Sequence, residues 1–260
     1  MCIRDRITTT AIPAFNDNYH WLIESEVETW VVDPGDGDKV QEVLAERSRT
    51  LTGILITHHH WDHINGIETL LHPDLIVAGP ARDQHPLVNR PMQEGDTLAV
   101  CGSQFQVFEV PGHTLNHIVY YAEPENQDPI LFSGDTLFAG GCGRLFEGTP
   151  AQMHQSLSKL GTLPERTQIY CAHEYTLGNL EFANTIEPNN PDLNSRLETV
   201  KDLRAQGIPT IPSTLSLELK TNPFIRIHSA ELTASAKRSN PDLKDPISIF
   251  AEIRSLKDQF

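Results

Sequence analysis

Seven consecutive residues contain five side chains that could bind a metal ion. Residues 57–63 read THHHWDH, so four histidines and one aspartate follow directly on the apolar segment GILI. Imidazole and carboxylate are the usual protein ligands of Zn²⁺ and similar ions where thiolate is absent. The sequence therefore predicts a metal centre at the end of this apolar segment.

The spacing within THHHWDH predicts that its ligands divide between two ions. At the end of an extended segment, side chains two residues apart point the same way, so His58 and His60 can face one metal while His59 turns elsewhere. Asp62 and His63 follow after the chain turns, and we expect them to face a different point. One ion with an open position would hardly accommodate all of them, so two ions are the better interpretation.

Later apolar strands also end in residues that can bind metals. His113 follows FQVFEV, Asp135 follows PILFSG, and His173 follows QIYCA. Each of these three strands is thus followed by a polar side chain that can bind a metal ion. A purely structural zinc site is closed and usually rich in cysteine, whereas the cysteines here are far apart and form no CxxC motif. The pattern favours a catalytic metal centre.

The elements that must position these residues are strands up to about residue 174 and helices beyond it. The predicted strands are HWLIES, TWVVDP, GILIT, LIVAG, FQVFEV, IVYYAE, PILFSG and QIYCA. Helices are predicted over 38–47 and 64–71 and in TPAQMHQSLSKLG, which has Thr149 as its N-cap, Pro150 in its first turn and Gly161 as its stop.

The chain beyond residue 174 predicts a second domain. Asn190-Pro191 and Asp245-Pro246 each open a helix, and the second has Ile249, Ile253, Leu256 and Phe260 on its predicted inner face. We therefore predict an α+β protein with a domain over 7–174 and a smaller, mostly helical domain over 175–260.

Composition narrows the possible partners. The chain has 20 Lys and Arg against 35 Asp and Glu, a formal net charge of −15. Nucleic acid is therefore an unfavourable partner. No apolar stretch reaches the roughly 20 residues that cross a bilayer, and the N-terminus lacks the apolar core of a secretion signal. We predict a cytoplasmic protein, a monomer, whose four cysteines are reduced.

The ligand pattern resembles the metallo-β-lactamase superfamily. His58-x-His60-x-Asp62-His63, followed by His113, Asp135 and His173, is the order of metal ligands in that superfamily. PAFNDNYHWLI, GDTLFAGGCGRLFEGT, CAHEYTLGNLEFA, TNPFIR and RSLKDQF further resemble its hydroxyacylglutathione hydrolase (glyoxalase II) family. The resemblance covers residue 7 to the end and implies an αββα sandwich followed by the helical domain.

The resemblance assigns each ligand to an ion. It implies that His58, His60 and His113 bind one metal, that Asp62, His63 and His173 bind the second, and that Asp135 bridges both. Zn²⁺ is the first expectation, and iron or Mn²⁺ also suits these ligands. Asp62 would orient the attacking water besides binding metal, and Asp33 would brace the ligands from behind.

The same resemblance implies a substrate and the residues that bind it. Arg144, Phe146, Tyr175, Arg254 and Lys257 would hold the glutathione part of an S-(2-hydroxyacyl)glutathione, chiefly S-lactoylglutathione. Hydrolysis would release glutathione and a 2-hydroxy carboxylate such as D-lactate, the second step of methylglyoxal detoxification. The alternatives are a mononuclear iron enzyme similar to glutathione persulfide dioxygenases, or another hydrolase of this fold. Acyl-chain preference and the role of residues 1–6 stay open.

Overall fold

Strands predominate up to Cys171, and helices predominate beyond it. The strands are β1 (Thr8–Ala14), β2 (Asn18–Glu24), β3 (Thr29–Val32), β4 (Gly53–Leu55), β5 (Ile76–Pro80), β6 (Arg90–Met92), β7 (Thr97–Val100), β8 (Ser103–Glu109), β9 (Ile118–Ala122), β10 (Ile130–Gly134), β11 (Leu137–Phe138), β12 (Gly141–Cys142), β13 (Gln168–Cys171) and β14 (Ser213–Thr214). The helices are α1 (Gly37–Arg47), α2 (Trp61–Ile64), α3 (Ile67–Leu70), α4 (Pro150–Leu160), α5 (Thr176–Ile186), α6 (Pro191–Ala205), α7 (Leu215–Thr221), α8 (Ala230–Ser239) and α9 (Pro246–Gln259). The computed structural model describes residues 6–82 and 85–260, so Cys2 and most of the N-terminal segment lie outside these statements.

The chain divides into two compact units. The first unit extends to Glu109 and also contains Asn116–Gly134, and the second contains Val110–Leu115 and Asp135–Phe260. The boundaries of these compact units differ from those of the predicted domains, 7–174 and 175–260. The predicted domain boundary therefore stays a prediction.

One mixed sheet of the first unit runs β1 to β6 in chain order. β1, β2 and β3 pair antiparallel, whereas β3, β4, β5 and β6 pair parallel. Val32 is in register with Leu55, so the residues that follow β3 and β4 leave the sheet at the same edge. This register brings Asp33 next to the start of the histidine segment.

A buried apolar cluster and a buried tyrosine stabilise the first unit. Leu22, Val31 and Ile54 of the sheet pack in one cluster with Val40 and Leu44 of α1. A second sheet contains the antiparallel strands β7, β8, β9 and β10. From β9, the buried Tyr120 hydroxyl donates to the carbonyls of Ile56 and Ala78 at 3.0 and 3.3 Å, which ties the two sheets together.

The second unit contains the predicted helices with the expected ends. Thr149 forms a capping box with Gln152 at the start of α4, and Asn190 and Asp245 cap α6 and α9. α5 packs Leu180 and Ala183 against Leu193, Leu197 and Val200 of α6.

The prediction for the inner face of α9 is wrong at its end. Phe260 follows the helix and is 62% exposed, whereas Phe250 is fully buried beside Ile249 and Ile253. The buried stripe therefore rotates toward Phe250 and Arg254. Among the described residues, no helix is long and apolar enough to span a bilayer.

Candidate active site

The histidine segment lies where β4 ends in the first unit. The chain continues past Leu55 without regular structure and turns into α2 at Trp61. The ring centroids of His58 and His60 are 4.7 Å apart, and those of His58 and His63 are 4.1 Å apart. Asp33, His58 and His63 each offer a ligand atom within 4.8 Å of the others.

Asp33 orients this histidine segment through hydrogen bonds with Thr57. It is buried and has a left-handed φ of 50°, and its two oxygens accept the Thr57 N–H and O–H, both at 2.7 Å. Because the Thr57 hydroxyl gives its proton to Asp33, it can only accept from His58 Nδ1, which lies 3.0 Å away. His63 Nδ1 lies 3.0 Å from Asp33. The His58 ring is thereby held through Nδ1–H, which leaves its Nε2 as the nitrogen with a lone pair for a metal.

Asp62 is oriented by a residue that the sequence reasoning missed. The side-chain amide of Asn18 donates to Asp62 Oδ2 at 2.9 Å, and His63 Nε2 lies 3.5 Å from the same oxygen. Asn18 begins β2, and its only signal in the sequence was its place in PAFNDNYHWLI. Thr57 was likewise quoted in the metal motif without a role, because a hydrogen bond to Asp33 depends on the register of β3 and β4.

The neighbouring residues divide into supporting and outward-facing ones. His59 turns away from His58 and lies 3.0 Å from Asn116 Oδ1, as alternation predicts. His117 is buried and stacks on His58 at 4.7 Å, consistent with a supporting role. Trp61 is 63% exposed, and the centroid of its ring lies 5.1 Å from that of Phe15.

His20 is a buried structural residue of the first unit. Burial, followed by the proximity of His63, lowers the pKa of His20 to about 4. The neutral ring accepts the backbone N–H of Asp36 at 3.0 Å, and Asp36 in turn caps α1. His20 thus stabilises the turn between β3 and α1.

In the second unit, Asp135 lies between two histidines. Its Oδ2 is 3.4 Å from His113 Nε2, and its Oδ1 is 3.4 Å from His173 Nε2. His113 Nδ1 donates to the Arg144 carbonyl at 2.8 Å, so its Nε2 also presents a lone pair. A Cβ at residue 143 would lie 2.0 Å from the Asp135 carbonyl oxygen, and only glycine allows this approach.

These donor sets fit divalent metal ions. Each unit brings together buried imidazole nitrogens and a carboxylate, which are ligands suited to Zn²⁺, iron and Mn²⁺. The hydrogen bonds to Nδ1 orient the rings in the way that metal-binding histidines require. In Asp135, each carboxylate oxygen faces a different histidine, which is the arrangement that a bridging ligand needs.

A pocket of about 590 Å³ lies beside Asp135 in the second unit. Every residue predicted to bind substrate lines it: Arg144, Phe146, Tyr175, Arg254 and Lys257. The Tyr175 ring stacks on His173 at 4.7 Å, and the Phe146 ring meets His113 edge-on at 5.3 Å. The pocket therefore adjoins both histidines around Asp135.

The three cations of the pocket are held differently. Lys257 donates to the Gly178 carbonyl at 3.0 Å and lies over two phenylalanine rings, and burial lowers its pKa. Arg254 is 6% exposed and donates to the Cys142 carbonyl at 2.9 Å. The Arg144 side chain is 58% exposed and pairs with Asp258.

A buried ion pair anchors the loop that carries Arg144. Arg196 and the fully buried Glu218 pair at 2.6 Å. Glu218 accepts the Gly140 N–H at 2.8 Å, and Asn222 donates to the Gly141 carbonyl at 2.9 Å. Since these residues come from α6, α7 and the TNPFIR segment, the helices fix a loop that follows Asp135.

Cys142 in the same loop is a packing residue. It is buried, and burial raises the pKa of its thiol to about 11 despite the nearby Arg254. A buried, protonated thiol is unreactive, which agrees with a packing role.

Comparisons with known proteins place both parts of the chain in one family. A model described as the metallo-beta-lactamase superfamily matches residues 17–173, and a model described as the hydroxyacylglutathione hydrolase C-terminus matches 174–260. A hydroxyacylglutathione hydrolase of Photobacterium profundum is 51% identical over 98% of this chain and 100% of its own, and one of Ectopseudomonas mendocina is 49% identical over the same shares.

A solved structure shows the same fold at greater distance. ETHE1 from Myxococcus xanthus aligns with a TM-score of 0.65 at 23% identity, covering 97% of this chain and 98% of its own. These findings confirm the predicted metallo-β-lactamase fold. The chain belongs to the hydroxyacylglutathione hydrolase family of the metallo-β-lactamase superfamily.

Proposed function

We propose that this protein is a metal-dependent thioester hydrolase that cleaves S-(2-hydroxyacyl)glutathiones, with S-lactoylglutathione as the main substrate. The observation that carries the proposal is the combination, on a chain of this family, of metal-binding residues in each unit with a cationic pocket beside Asp135. Relatives about half identical over nearly the whole chain are named for this reaction.

The proposal for the metals has two ions. His58, His60 and His113 would bind one, Asp62, His63 and His173 the other, and Asp135 would bridge them. Bound ions of this kind lower the pKa of water from ~15.7 toward ~7 and polarise a carbonyl oxygen, which is the chemistry that thioester hydrolysis needs. A related protein, TTHA1623, 26% identical with a TM-score of 0.58 over 84% of this chain and 99% of its own, was solved in a di-iron-bound form. Zn²⁺ is our first choice for this chain.

The residues around the ligands would contribute orientation. Asp33, Thr57 and the Arg144 carbonyl keep the imidazoles in the tautomer that binds metal. Asn18 occupies one oxygen of Asp62, so the carboxylate is fixed in direction and can accept the proton of an attacking water. No serine or cysteine nucleophile is required.

The pocket would bind the glutathione part of the substrate. Glutathione carries two carboxylates and one ammonium, and Lys257 and Arg144 offer charged donors to carboxylates. Phe146 has no hydroxyl, so it would contribute only a ring face, while Tyr175 offers a ring and a hydroxyl. The negative overall charge and the small pocket support a small-molecule substrate rather than nucleic acid. Cytoplasmic location and a monomeric state stay predictions, and the buried thiols fit a reducing compartment.

The test is metal analysis and turnover on the same preparation. Purified protein is assayed with S-lactoylglutathione and with the lactoyl thioester of a simple alkanethiol, and its metals are quantified by mass spectrometry. We expect two equivalents of metal, hydrolysis that exhaustive chelation abolishes, and a strong preference for the glutathione thioester. Undiminished hydrolysis after chelation would contradict the proposal. Oxygen consumption with glutathione persulfide, together with one equivalent of iron, would favour the alternative.

A further inference from the structure

Asp258 on α9 joins two arginines of the pocket through one oxygen. Its Oδ1 accepts from Arg254 Nη2 at 3.0 Å and from Arg144 Nε at 3.2 Å. Arg144 lies in the loop after Asp135, whereas Arg254 lies one turn before Asp258 on the helix. A single carboxylate therefore connects the loop to the helix at the pocket wall.

The two arginines differ in how firmly they are fixed. Arg254 is 6% exposed, donates through Nη1 to the Cys142 carbonyl at 2.9 Å, and lies 5.0 Å from the centre of the Phe224 ring. The Arg144 side chain is 58% exposed. Within the described parts of the chain, Arg144 forms its side-chain hydrogen bond only through Nε. Asp258 thus links an exposed arginine to a buried one.

We propose that Asp258 is a positioning residue for glutathione binding, an inference that rests on the proposed function. By holding Nε of Arg144, it directs the two terminal nitrogens of the guanidinium toward a substrate carboxylate. An unrestrained arginine would lose more side-chain freedom when the substrate binds. Asp258 also offsets the charge of one cation of the pocket. The pocket is therefore not uniformly positive, which suits a ligand that carries an ammonium group.

The opposite role is physically possible and predicts the opposite sign. A carboxylate that merely occupies Arg144 would compete with the substrate, so its removal would tighten binding. Positioning predicts that removal weakens binding, and that it does so only while Arg144 is present.

The experiment is a double-mutant cycle with Asp258→Ala, Arg144→Ala and the double variant. Affinity for S-methylglutathione, a thioether that cannot be hydrolysed, is measured by calorimetry, and KM and kcat are measured with S-lactoylglutathione. We expect Kd and KM to rise about fivefold in Asp258→Ala and about tenfold in Arg144→Ala, with the double variant close to the larger single effect and kcat within about twofold throughout. Glu252→Ala, which removes the same charge from the same helix outside the pocket lining, should leave these constants unchanged.

Several outcomes would overturn the inference. Effects that multiply to about fiftyfold in the double variant would mean that Asp258 acts independently of Arg144. Tighter binding by Asp258→Ala would support competition instead. A purely structural role would lower Tm and weaken binding equally in both Arg144 backgrounds, and Asp258→Asn, which keeps an acceptor oxygen, would then restore Tm and affinity together.

The inference and the proposed function fail in different ways. A wild-type protein that binds the thioether but does not hydrolyse S-lactoylglutathione would reject the function and leave the cycle measurable through Kd. A wild-type protein that does not bind the thioether would overturn the positioning role itself.

Discussion

The proposed metal ligands of the first unit come from one short segment, whereas the proposed functional residues of the second unit come from distant parts of the chain. His58, His60, Asp62 and His63 lie within six residues, and β4 and α2 alone set their spacing. The pocket of the second unit combines residues from 113 to 260. A local segment is fixed by its own backbone and by Asp33, but the pocket exists only when α5, α9 and the loop after Asp135 pack together.

This difference indicates that metal binding and substrate binding depend on different kinds of interaction. The histidine segment relies on the buried hydrogen bonds of Thr57 with Asp33 and His58. The pocket relies on long-range anchors such as Arg196–Glu218 and Arg254–Cys142. We therefore expect substitutions in the first group to affect metal content and those in the second to affect KM.

The largest effect should come from Asp135 in the second unit. Asp135→Ala removes the carboxylate that faces both His113 and His173. We expect loss of both metals and a fall in kcat of about a thousandfold or more, because water would keep its ordinary pKa. Metal analysis and turnover measure this, with Asp202→Ala on exposed α6 as the control. A variant retaining a full equivalent of metal would contradict bridging.

Asp33 should show the next largest effect without contacting substrate. Asp33→Ala leaves the buried Thr57 N–H without its acceptor and releases His63. We expect metal affinity to fall roughly 10- to 100-fold and the free energy of unfolding to fall by about 1–3 kcal/mol. Chelator competition and thermal unfolding measure the two quantities. Thr57→Val, which keeps the backbone N–H, should lose less stability, and unchanged metal affinity in both variants would reject the bracing role.

Removal of Lys257 should separate binding from chemistry. Lys257→Ala removes a charged donor held over Phe182 and Phe260, and we expect KM for S-lactoylglutathione to rise about tenfold with little change in kcat. A thioester lacking glutathione should be hydrolysed as before. Lys201→Ala on the exposed face of α6 is the matched control. Equal effects on both substrates would break the contrast between the pocket and the metal ligands.

The charge of Lys257 also predicts a pH dependence. Burial lowers the pKa of Lys257 below its ordinary value of 10.5. The charged form binds the carboxylate, so affinity is complete below this lowered pKa and is lost as the pH rises through it. Kd for S-methylglutathione should therefore increase at an alkaline pH below the pH at which a fully exposed lysine loses its proton. In Lys257→Arg this increase should disappear, because arginine stays charged; an identical profile would assign the titration to another group.

The smallest effect should be seen at the cysteines. Burial raises the pKa of the Cys142 thiol to about 11 and those of Cys101 and Cys171 to about 12. Since the thiolate is the reactive form, we expect little alkylation of these residues by iodoacetamide at pH 8 in folded protein. Peptide mass spectrometry, with denatured protein as the positive control, measures the labelling. Rapid modification of Cys142 would show that the loop carrying Arg144 opens readily.

The sequence predicted those helices and strands whose apolar periodicity and terminal residues indicated the same boundaries. α4, α6 and α9 begin at the predicted caps Thr149, Asn190 and Asp245, because a capping side chain acts within one turn. β1 and α5 were not predicted. α5 reads TLGNLEFANTI, with glycine, asparagine and threonine that favour helix weakly, and its packing against α6 decides its conformation.

The sequence by itself determined which side chains can bind metal and how they alternate. His58 and His60 share a direction and His59 opposes them because the side-chain period of an extended chain is two. Only the tertiary structure decided what lies behind them. The pairing of Thr57 with Asp33, of Asn18 with Asp62, and of Asp258 with Arg144 joins residues 24 to 114 positions apart. No local pattern records such contacts, because strand register and helix packing bring them about.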